Sequence, residues 1–239
     1  MQIEGRNPVI EALKSGISIS KIAIKESSQS DPKIAEIIQE AQGKNIPLVF
    51  KSKKFLNKIT KGSIHQGVIA FTKEVKQASL EEVVINLLDK GIEPFLVFIR
   101  DAQNESNIGA IIRTAEAAGA NAVVLPPKIS VSAKVVHSSM GATVHIPVIN
   151  ANLFPSIKYV QTKGIKVVGI EMNGAKNYFD EDLSGPLMLL IGGEDRSLSD
   201  EIQKKCDSVV KIPMIGKVNS LNMSVAAGLV IYEKVRQSI

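Results

Sequence analysis

The sequence is poor in cysteine, histidine and aromatic residues, and each shortage excludes a class of protein. A single cysteine, Cys206, rules out a disulfide framework and a cysteine-rich metal site. The histidines His65, His137 and His145 are far apart and none has metal-ligand spacing, so we expect no metal. Aromatic residues make up 4% of the chain and are scattered, so the sequence reveals no platform on which bases could stack.

Long hydrophobic runs are also missing. No run reaches the ~18 apolar residues of a membrane span, and the N-terminal MQIEGRNPVIEAL lacks the apolar core of a signal peptide. An apolar fraction of 44% is nevertheless enough for a globular core. These features predict a soluble, cytoplasmic protein of a reducing compartment, with no membrane partner.

Positive charge is concentrated in the first third of the chain. Residues 1–75 contain 12 lysines and arginines against 7 acidic residues, whereas residues 76–239 contain 17 of each. The whole excess of +5 therefore lies in the first third, which favours a basic module that binds a polyanion. A lysine-rich, solvated surface without a ligand explains the same distribution equally well.

Residues 1–75 alternate between helix and strand signals. Asn7-Pro8 and Asp31-Pro32 are typical of helix starts, with a capping side chain followed by proline. The pattern predicts one compact α/β domain over residues 1–75. Its predicted strands are 21–24, 46–50 and 67–71, and its predicted basic helix is 51–61.

Residues 76–93 are predicted to form a linker that contains a helix. Within SLEEVVINLLDKG (79–91), Ser79 and Glu82 have capping-box spacing and Gly91 ends the pattern. From residue 94 to residue 239, helical segments separate most of the apolar runs of strand length, which predicts a largely parallel, covered sheet. The predicted strands are 94–99, 122–125, 165–170, 187–191 and 208–212.

Three loops that follow predicted strands carry unusual polar chemistry. They are RDAQNESNIGAIIRTAEAAGA (100–120), IGGEDRSLSDEI (191–202) and IPMIGKVNSLNMSVAAG (212–228). In open α/β sheets, ligands bind where loops leave the carboxyl ends of strands. Asn107 and Ser220 are candidate helix caps, and Arg113 lies six residues beyond Asn107. The alternative interpretation of the first loop is a small-residue helix with a solvated arginine, and that of the second is an ordinary turn. The sequence contains no phosphate-loop, GxGxxG, Ser–His–Asp or paired-carboxylate pattern.

Together and in this order, the loops resemble the three sequence motifs of the SpoU (TrmH-type) branch of the SPOUT RNA methyltransferases. The third is the most specific, because the pattern IPM-x-G-x-x-x-SLN-x-S-x-A is long. GRNPVIEAL (5–13) and HQGVIAF (65–71) are similar to the N-terminal domain of the family's ribosomal RNA members, which resembles kink-turn-binding ribosomal proteins. The resemblance covers nearly the whole chain. It departs at GGEDRS, where many members have GxExxG, and at DAQNES, where many have an aspartate-proline pair.

The resemblance implies a trefoil-knotted methyltransferase domain at 94–239, with S-adenosyl-L-methionine as cofactor and an active site completed across a homodimer. Residues 212–222 are then expected to thread the knot, an exception to the rule that chains do not thread loops. The catalytic residues implied are Arg113, Asn107, Glu194, Ser220 and Asn222. The cofactor contacts implied are Gly192, Gly193, Ile212, Met214, Gly216 and Leu221. Arg113 is expected first to hold the reacting 2′-oxygen or a phosphate, because a guanidinium hardly deprotonates; the alternative is that it acts as the base with the help of a phosphate.

The resemblance predicts methyl transfer to a ribose 2′-hydroxyl of RNA, with a guanosine of large-subunit (23S) rRNA as the favoured target. The basic first domain favours ribosomal RNA over tRNA. Alternative interpretations are the same chemistry on tRNA or on another rRNA nucleotide, and a non-catalytic RNA-binding protein of ribosome assembly. The presence of all five matched polar residues argues against the non-catalytic protein.

Overall fold

Two compact units make up the chain in the computed structural model, which describes residues 2–15, 17–60, 65–72, 78–193 and 198–239. Unit 1 is Met1–Lys76 with Val131–His145, and unit 2 is Gln77–Ser130 with Ile146–Ile239. The domain limits predicted from the sequence, 1–75, 76–93 and 94–239, remain a prediction. The structure adds that the segment 131–145 groups with the first unit.

The helices and strands follow one another in an alternating α/β order. The strands are β1 (Gln2–Glu4), β2 (Ile19–Lys25), β3 (Leu48–Lys51), β4 (Val68–Thr72), β5 (Phe95–Ile99), β6 (Ala122–Leu125), β7 (Val148–Asn150), β8 (Lys166–Ile170), β9 (Lys176–Asn177), β10 (Leu187–Ile191) and β11 (Ser208–Lys211). The helices are α1 (Arg6–Lys14), α2 (Pro32–Gly43), α3 (Lys53–Ile59), α4 (Leu80–Asp89), α5 (Glu105–Ala117), α6 (Ala133–Ser138), α7 (Leu153–Thr162), α8 (Asp200–Gln203) and α9 (Met223–Ser238).

Unit 1 is built on a mixed sheet with the strand order β1-β4-β2-β3. Strand β2 runs parallel to β3 and antiparallel to β4, which also pairs with β1. Helices α1 and α2 cover one face of the sheet, and Leu56 of α3 packs on Ala23 and Ile69 of the other. Asp31 caps α2 as predicted, but α1 begins at Arg6 after Gly5, so Asn7 is not its cap.

The segment 131–145 packs into the core of unit 1. Val136 of α6 belongs to the same buried cluster as Ile3 and Val9. His145 Nε2 lies 3.0 Å from Glu11 Oε2, and a Cβ at Gly141 would come within 2.8 Å of the Glu11 side chain. This part of unit 1 is therefore built from residues far apart in the sequence.

Unit 2 contains a seven-stranded sheet in which every described pairing is parallel. The parallel sheet predicted from the sequence is thus confirmed. Strands β5 and β10 are buried along their whole length, as expected where helices cover both faces of a sheet. The predicted capping box of Ser79 and Glu82 is present at the start of α4. Among the described residues, no helix is long and apolar enough to cross a membrane.

The strand order of this sheet brings distant loops together. The order is β7-β6-β5-β10-β8-β11-β9, so β10 lies between β5 and β8. Helix α9 packs on α5 and on β10. The connection from β11 to α9, residues 212–222, therefore crosses the carboxyl ends of β8 and β10.

Candidate active site at the carboxyl ends of the parallel strands

A cavity of about 760 Å³ lies at the carboxyl ends of β8 and β10, within unit 2. The connection 212–222 and the first turns of α5 and α9 form its other walls. Its lining residues are Asn104, Asn107, Ile170, Glu171, Met172, Ile191, Gly192, Gly193, Ile212, Met214, Asn219, Ser220, Leu221, Asn222, Met223 and Ala226. The three polar loops singled out in the sequence thus contribute to one cavity.

Asn222 joins the first and third loops through its side-chain amide. Its Oδ1 accepts hydrogen bonds from the backbone N and the Oγ of Ser224, at 2.9 and 2.7 Å, and so caps α9. Its Nδ2 donates to Oδ1 of Asn107 at 3.2 Å. The cap and the bond to Asn107 together fix the orientation of the Asn222 amide, and both asparagines line the cavity.

The helix caps differ from those predicted. Asn104 caps α5, with its Oδ1 accepting from Ser106 N at 2.9 Å, so Asn107 lies inside the first turn. Asn222 caps α9, and Ser220 lies before the helix, exposed. Several asparagines and serines near each start satisfy the cap chemistry equally, so the sequence did not identify which one is used.

The end of β8 is tied to the loop that follows β10. Glu171, directly after β8, accepts from Leu198 N through Oε2 at 2.5 Å and from Met172 N through Oε1 at 2.9 Å. A Cβ built at Gly192 would lie 3.7 Å from Glu171 Oε2. The carboxylate therefore lies beside the glycine turn and on the cavity wall.

Most of the predicted site residues line the cavity, and two do not. The predicted residues that line it are Asn107, Gly192, Gly193, Ile212, Met214, Ser220, Leu221 and Asn222. Arg113 is exposed on α5 and is not part of the lining. Gly216 also lies outside the lining, and a Cβ added there would have no neighbour within 4 Å. Glu194 lies outside the described residues.

Sequence reasoning missed several lining residues, and the most important of them is Glu171, whose side chain is ionisable. Its signal was available, because it follows the predicted strand 165–170 and functional groups collect at the carboxyl ends of parallel strands. Asn104 and Asn219 also line the cavity, although the sequence motifs assign them no role.

The single cysteine does not serve this site as a nucleophile. Burial, with a contribution from the charge of Asp207, raises the pKa of Cys206 to about 11. A thiol with that pKa stays protonated near neutral pH and is a poor nucleophile. Cys206 instead packs against the hydrophobic core of unit 2.

Comparison with known proteins identifies the family. Residues 94–232 match the model of the SpoU rRNA Methylase family, and residues 2–78 match the model described as RNA 2′-O ribose methyltransferase substrate binding. The chain belongs to the SpoU family. Within the SpoU domain, the matched residues include the loops that form the cavity.

Relatives and solved structures agree over the whole chain. YacO of Bacillus subtilis (strain 168), named as a TrmH family tRNA/rRNA methyltransferase, is 34% identical over 236 residues, 98% of this chain and 94% of the relative. The SpoU methyltransferase AviRb from Streptomyces viridochromogenes, crystallised with AdoMet, aligns with a TM-score of 0.81 at 25% identity, covering 100% of this chain and 90% of AviRb. An AdoMet-bound rRNA methyltransferase from Sinorhizobium meliloti aligns with a TM-score of 0.79 at 25% identity, covering 100% and 87%. The SpoU fold expected from the sequence motifs is confirmed.

Proposed function

We propose that the protein is an S-adenosylmethionine-dependent RNA 2′-O-ribose methyltransferase. The observation that carries this proposal is the convergence of Asn107, Ser220 and Asn222 with the glycine turn at Gly192 in one cavity. These residues come from three loops spread over more than 100 positions of the sequence. A purely structural helix cap needs one of these amides, whereas the cavity has a surplus of them.

The cavity residues fit S-adenosylmethionine. A volume of about 760 Å³ lies within the ~300–1,000 Å³ usual for small-molecule sites. Ile212, Met214 and Leu221 offer apolar contacts for an adenine ring, and the turn at Gly192 and Gly193 leaves backbone accessible. When bound, this cofactor supplies a methyl group on a sulfonium, and the departing thioether is neutral, so the protein need not provide a general acid.

The polar side chains of the cavity are suited to positioning a ribose hydroxyl. The Asn222 amide is fixed by the cap and by its bond to Asn107, so it holds a partner without reorganising. Alignment of two reactants supplies up to ~7–11 kcal/mol of a barrier, which makes positioning the main contribution we assign to these residues. Arg113 is assigned to stabilising the negative charge that develops on the 2′-oxygen.

We assign the completion of the site to a second copy of the chain. Arg113 is exposed and outside the lining, so a homodimer is the arrangement in which it reaches the cavity of a partner. Helix α9 presents an apolar stripe at helical spacing, with Val225 51%, Leu229 38% and Tyr232 50% exposed. A shallow second cavity lies along this stripe. These features support a homodimer whose interface includes α9 beside α5.

The crossing of 212–222 over the ends of β8 and β10 supports a trefoil knot in unit 2. A knotted connection would hold the cavity wall in place although residues 213–222 are exposed in the single chain. Exposed Ile215 and Val218, 98% and 68% accessible, are then surfaces for cofactor, RNA or the partner copy.

Unit 1 is assigned to binding the RNA substrate. Its helix α3 and the preceding strand present the exposed lysines Lys51, Lys53, Lys54 and Lys58. Lys51 Nζ also lies 5.5 Å from the centroid of the exposed Phe55 ring, an arrangement that suits a phosphate beside an unpaired base. The favoured substrate is a guanosine of large-subunit (23S) rRNA in the cytoplasm, and the enzyme thereby acts in rRNA processing.

The proposal is tested by methyl transfer from labelled S-adenosylmethionine to total bacterial RNA, mapped by blocked alkaline cleavage. We expect one protected ribose in large-subunit rRNA. A protected ribose in tRNA would retain the chemistry and overturn the substrate. A protein that neither transfers label to naked or ribosomal RNA nor binds the cofactor would contradict the proposed methyltransferase activity. That result would favour a non-catalytic RNA-binding protein.

A further inference from the structure

Glu171 is an acidic group on the cavity wall to which no role has been assigned. It stands directly after β8, whose last residue Ile170 pairs with Ile191 at the end of β10. Glu171 is therefore level with Gly192, and its Oε2 would lie 3.7 Å from a Cβ at that glycine. The absence of a side chain at Gly192 leaves the carboxylate accessible from the cavity.

The carboxylate of Glu171 is held in place by backbone donors and keeps acceptor capacity. Oε2 accepts from Leu198 N at 2.5 Å, and Oε1 accepts from Met172 N at 2.9 Å. A carboxylate has about four acceptor sites, so about two remain after these bonds. Within the part of the chain that the structure describes, no lysine, arginine or histidine forms an ion pair with it. Such a group is suited to accepting hydrogen bonds from a neutral ligand with two adjacent donors.

A pair of neighbouring hydroxyls, as on a ribose, meets that requirement. In other α/β sheets, an acidic side chain at a strand end binds a nucleotide ribose through its hydroxyls. We infer that Glu171 binds the ribose hydroxyls of the adenosyl group of the cofactor and so orients the nucleoside in the cavity. The inference rests on the proposed function, because it requires the cavity to hold S-adenosylmethionine.

Two other roles for Glu171 make different predictions. A carboxylate that only anchors the loop at Leu198 would affect all ligands of the cavity equally. A carboxylate that attracts the positive sulfonium would affect S-adenosylmethionine more than the neutral S-adenosylhomocysteine. If Glu171 binds the ribose, in contrast, its contribution to ligand affinity depends on whether the ribose hydroxyls are present.

The test is calorimetric binding of S-adenosylhomocysteine and its 2′-deoxy and 3′-deoxy analogues to the full-length protein. The proteins are wild type, Glu171→Gln, Glu171→Ala and the control Glu81→Gln, which removes an exposed charge from α4 outside the cavity lining. In wild type and control, loss of the bonded hydroxyl should weaken binding about 10- to 100-fold, the range of a hydrogen bond to a charged group. In Glu171→Ala the same deletion should cost less than about threefold, because the partner of the hydroxyl is gone, and Glu171→Gln should lie between.

The comparison within each protein removes any general effect of the substitution on the loop. Equal hydroxyl costs in wild type and Glu171→Ala would overturn the ribose contact and leave Glu171 as a loop anchor. If the Glu171 substitutions weakened the binding of S-adenosylmethionine alone, and the cost of removing a hydroxyl were equal in wild type and Glu171→Ala, the ribose contact would be wrong. Glu171 would then act by attracting the positive sulfonium. Absence of binding by the wild-type protein to S-adenosylmethionine and to S-adenosylhomocysteine would overturn the proposed cofactor, and with it this assignment.

Discussion

Arg113 is the residue on which the proposed chemistry depends most and which the cavity of one chain does not contain. We predict that Arg113→Ala lowers methyl transfer about 10²- to 10³-fold, the cost of removing a donor that stabilises developing charge. Cofactor affinity should change less than about threefold, since the side chain is not part of the lining. Arg113→Lys should recover little, because an ammonium lacks the planar, forked donors of a guanidinium.

Single-turnover kinetics and calorimetry check this prediction at Arg113. Lys158→Ala removes another exposed cation of unit 2 and serves as the control that should retain full activity. Turnover by Arg113→Ala within a few fold of wild type would show that the arginine is a solvated side chain.

Asn222 caps α9, and two substitutions can separate this structural role from the catalytic role that we propose for it. Asn222→Asp keeps an acceptor for Ser224 and places a negative charge at the start of α9, so unfolding free energy should stay within about 0.5 kcal/mol of wild type. It loses the amide that donates to Asn107, so methyl transfer should fall at least about tenfold.

Asn222→Ala loses both functions and should also be destabilised by about 1 kcal/mol. Urea unfolding and methyl transfer, measured on both variants, give the comparison. Full activity in Asn222→Asp would contradict a role for the amide beyond the cap.

Helix α9 carries the exposed apolar stripe that we assign to the interface of the proposed homodimer. Leu229→Glu places a charge in the middle of this stripe and should convert the dimer into monomers, because an unpaired buried charge is costly. Sedimentation velocity measures the change. Ile85→Glu is the matched control, since Ile85 on α4 is similarly exposed, at 46%, and should leave the dimer intact. A Leu229→Glu protein that sediments like wild type would place the interface elsewhere.

A buried histidine three residues before β4, His65, should make unit 1 sensitive to acid. His65 is 7% exposed, its Nδ1 accepts from Gly67 N at 2.9 Å, and its Nε2 lies 2.8 Å from Asn57 Oδ1. Burial, followed by the charges of Lys53 and Lys25, lowers the pKa of His65 below its ordinary 6.5. Protonation would remove the acceptor that Gly67 uses.

The sign of the pH effect follows from this lowered pKa. Below about pH 6.5 the unfolded chain binds more protons at this site than the folded one, so stability is complete above that pH and declines as pH falls towards the folded pKa. Urea unfolding at pH 7.5 and pH 5.5 should show this loss, and His65→Gln should reduce it. An identical pH dependence in His65→Gln would exclude His65 as its source.

Across the whole molecule, the formal excess of +5 lies in residues 1–75, whereas residues 76–239 are neutral, as a first domain that binds a polyanion would require. Replacing Lys51, Lys53, Lys54 and Lys58 by glutamine should weaken RNA binding and make the slope of log K against log salt shallower by about 3, since each of the four phosphate contacts contributes ~0.7–0.9. Substitution is preferable to deleting residues 1–75, because 131–145 would lose the core into which it packs.

Fluorescence anisotropy over a range of KCl concentrations measures this slope. The control replaces four exposed lysines of unit 2, Lys158, Lys163, Lys204 and Lys205, and should keep the wild-type slope. Equal slopes in the two quadruple variants would place the RNA contacts outside α3 and its preceding strand.

Local sequence patterns are sufficient to predict the α/β class, the parallel sheet of unit 2 and most of its strands. These depend on local properties: apolar runs such as LMLLI at 187–191 and a capping box at Ser79 are complete within a few residues. Short strands such as β7 and β9 are not predicted from the sequence, because two or three residues are too few to show an alternating pattern. The caps at Asn104 and Asn222 are not predicted from the sequence, because neighbouring asparagine and serine residues are equally able to cap a helix.

Which loops share the cavity depends instead on long-range packing. The placement of β10 between β5 and β8 brings Glu171, Gly192 and the 212–222 connection together, and strand order depends on pairing between residues far apart in the chain. The same holds for 131–145, which joins unit 1 through Val136 and His145 although its neighbours in sequence belong to unit 2. Local patterns specify elements, whereas long-range packing specifies their neighbours, and it is the neighbours that make the site.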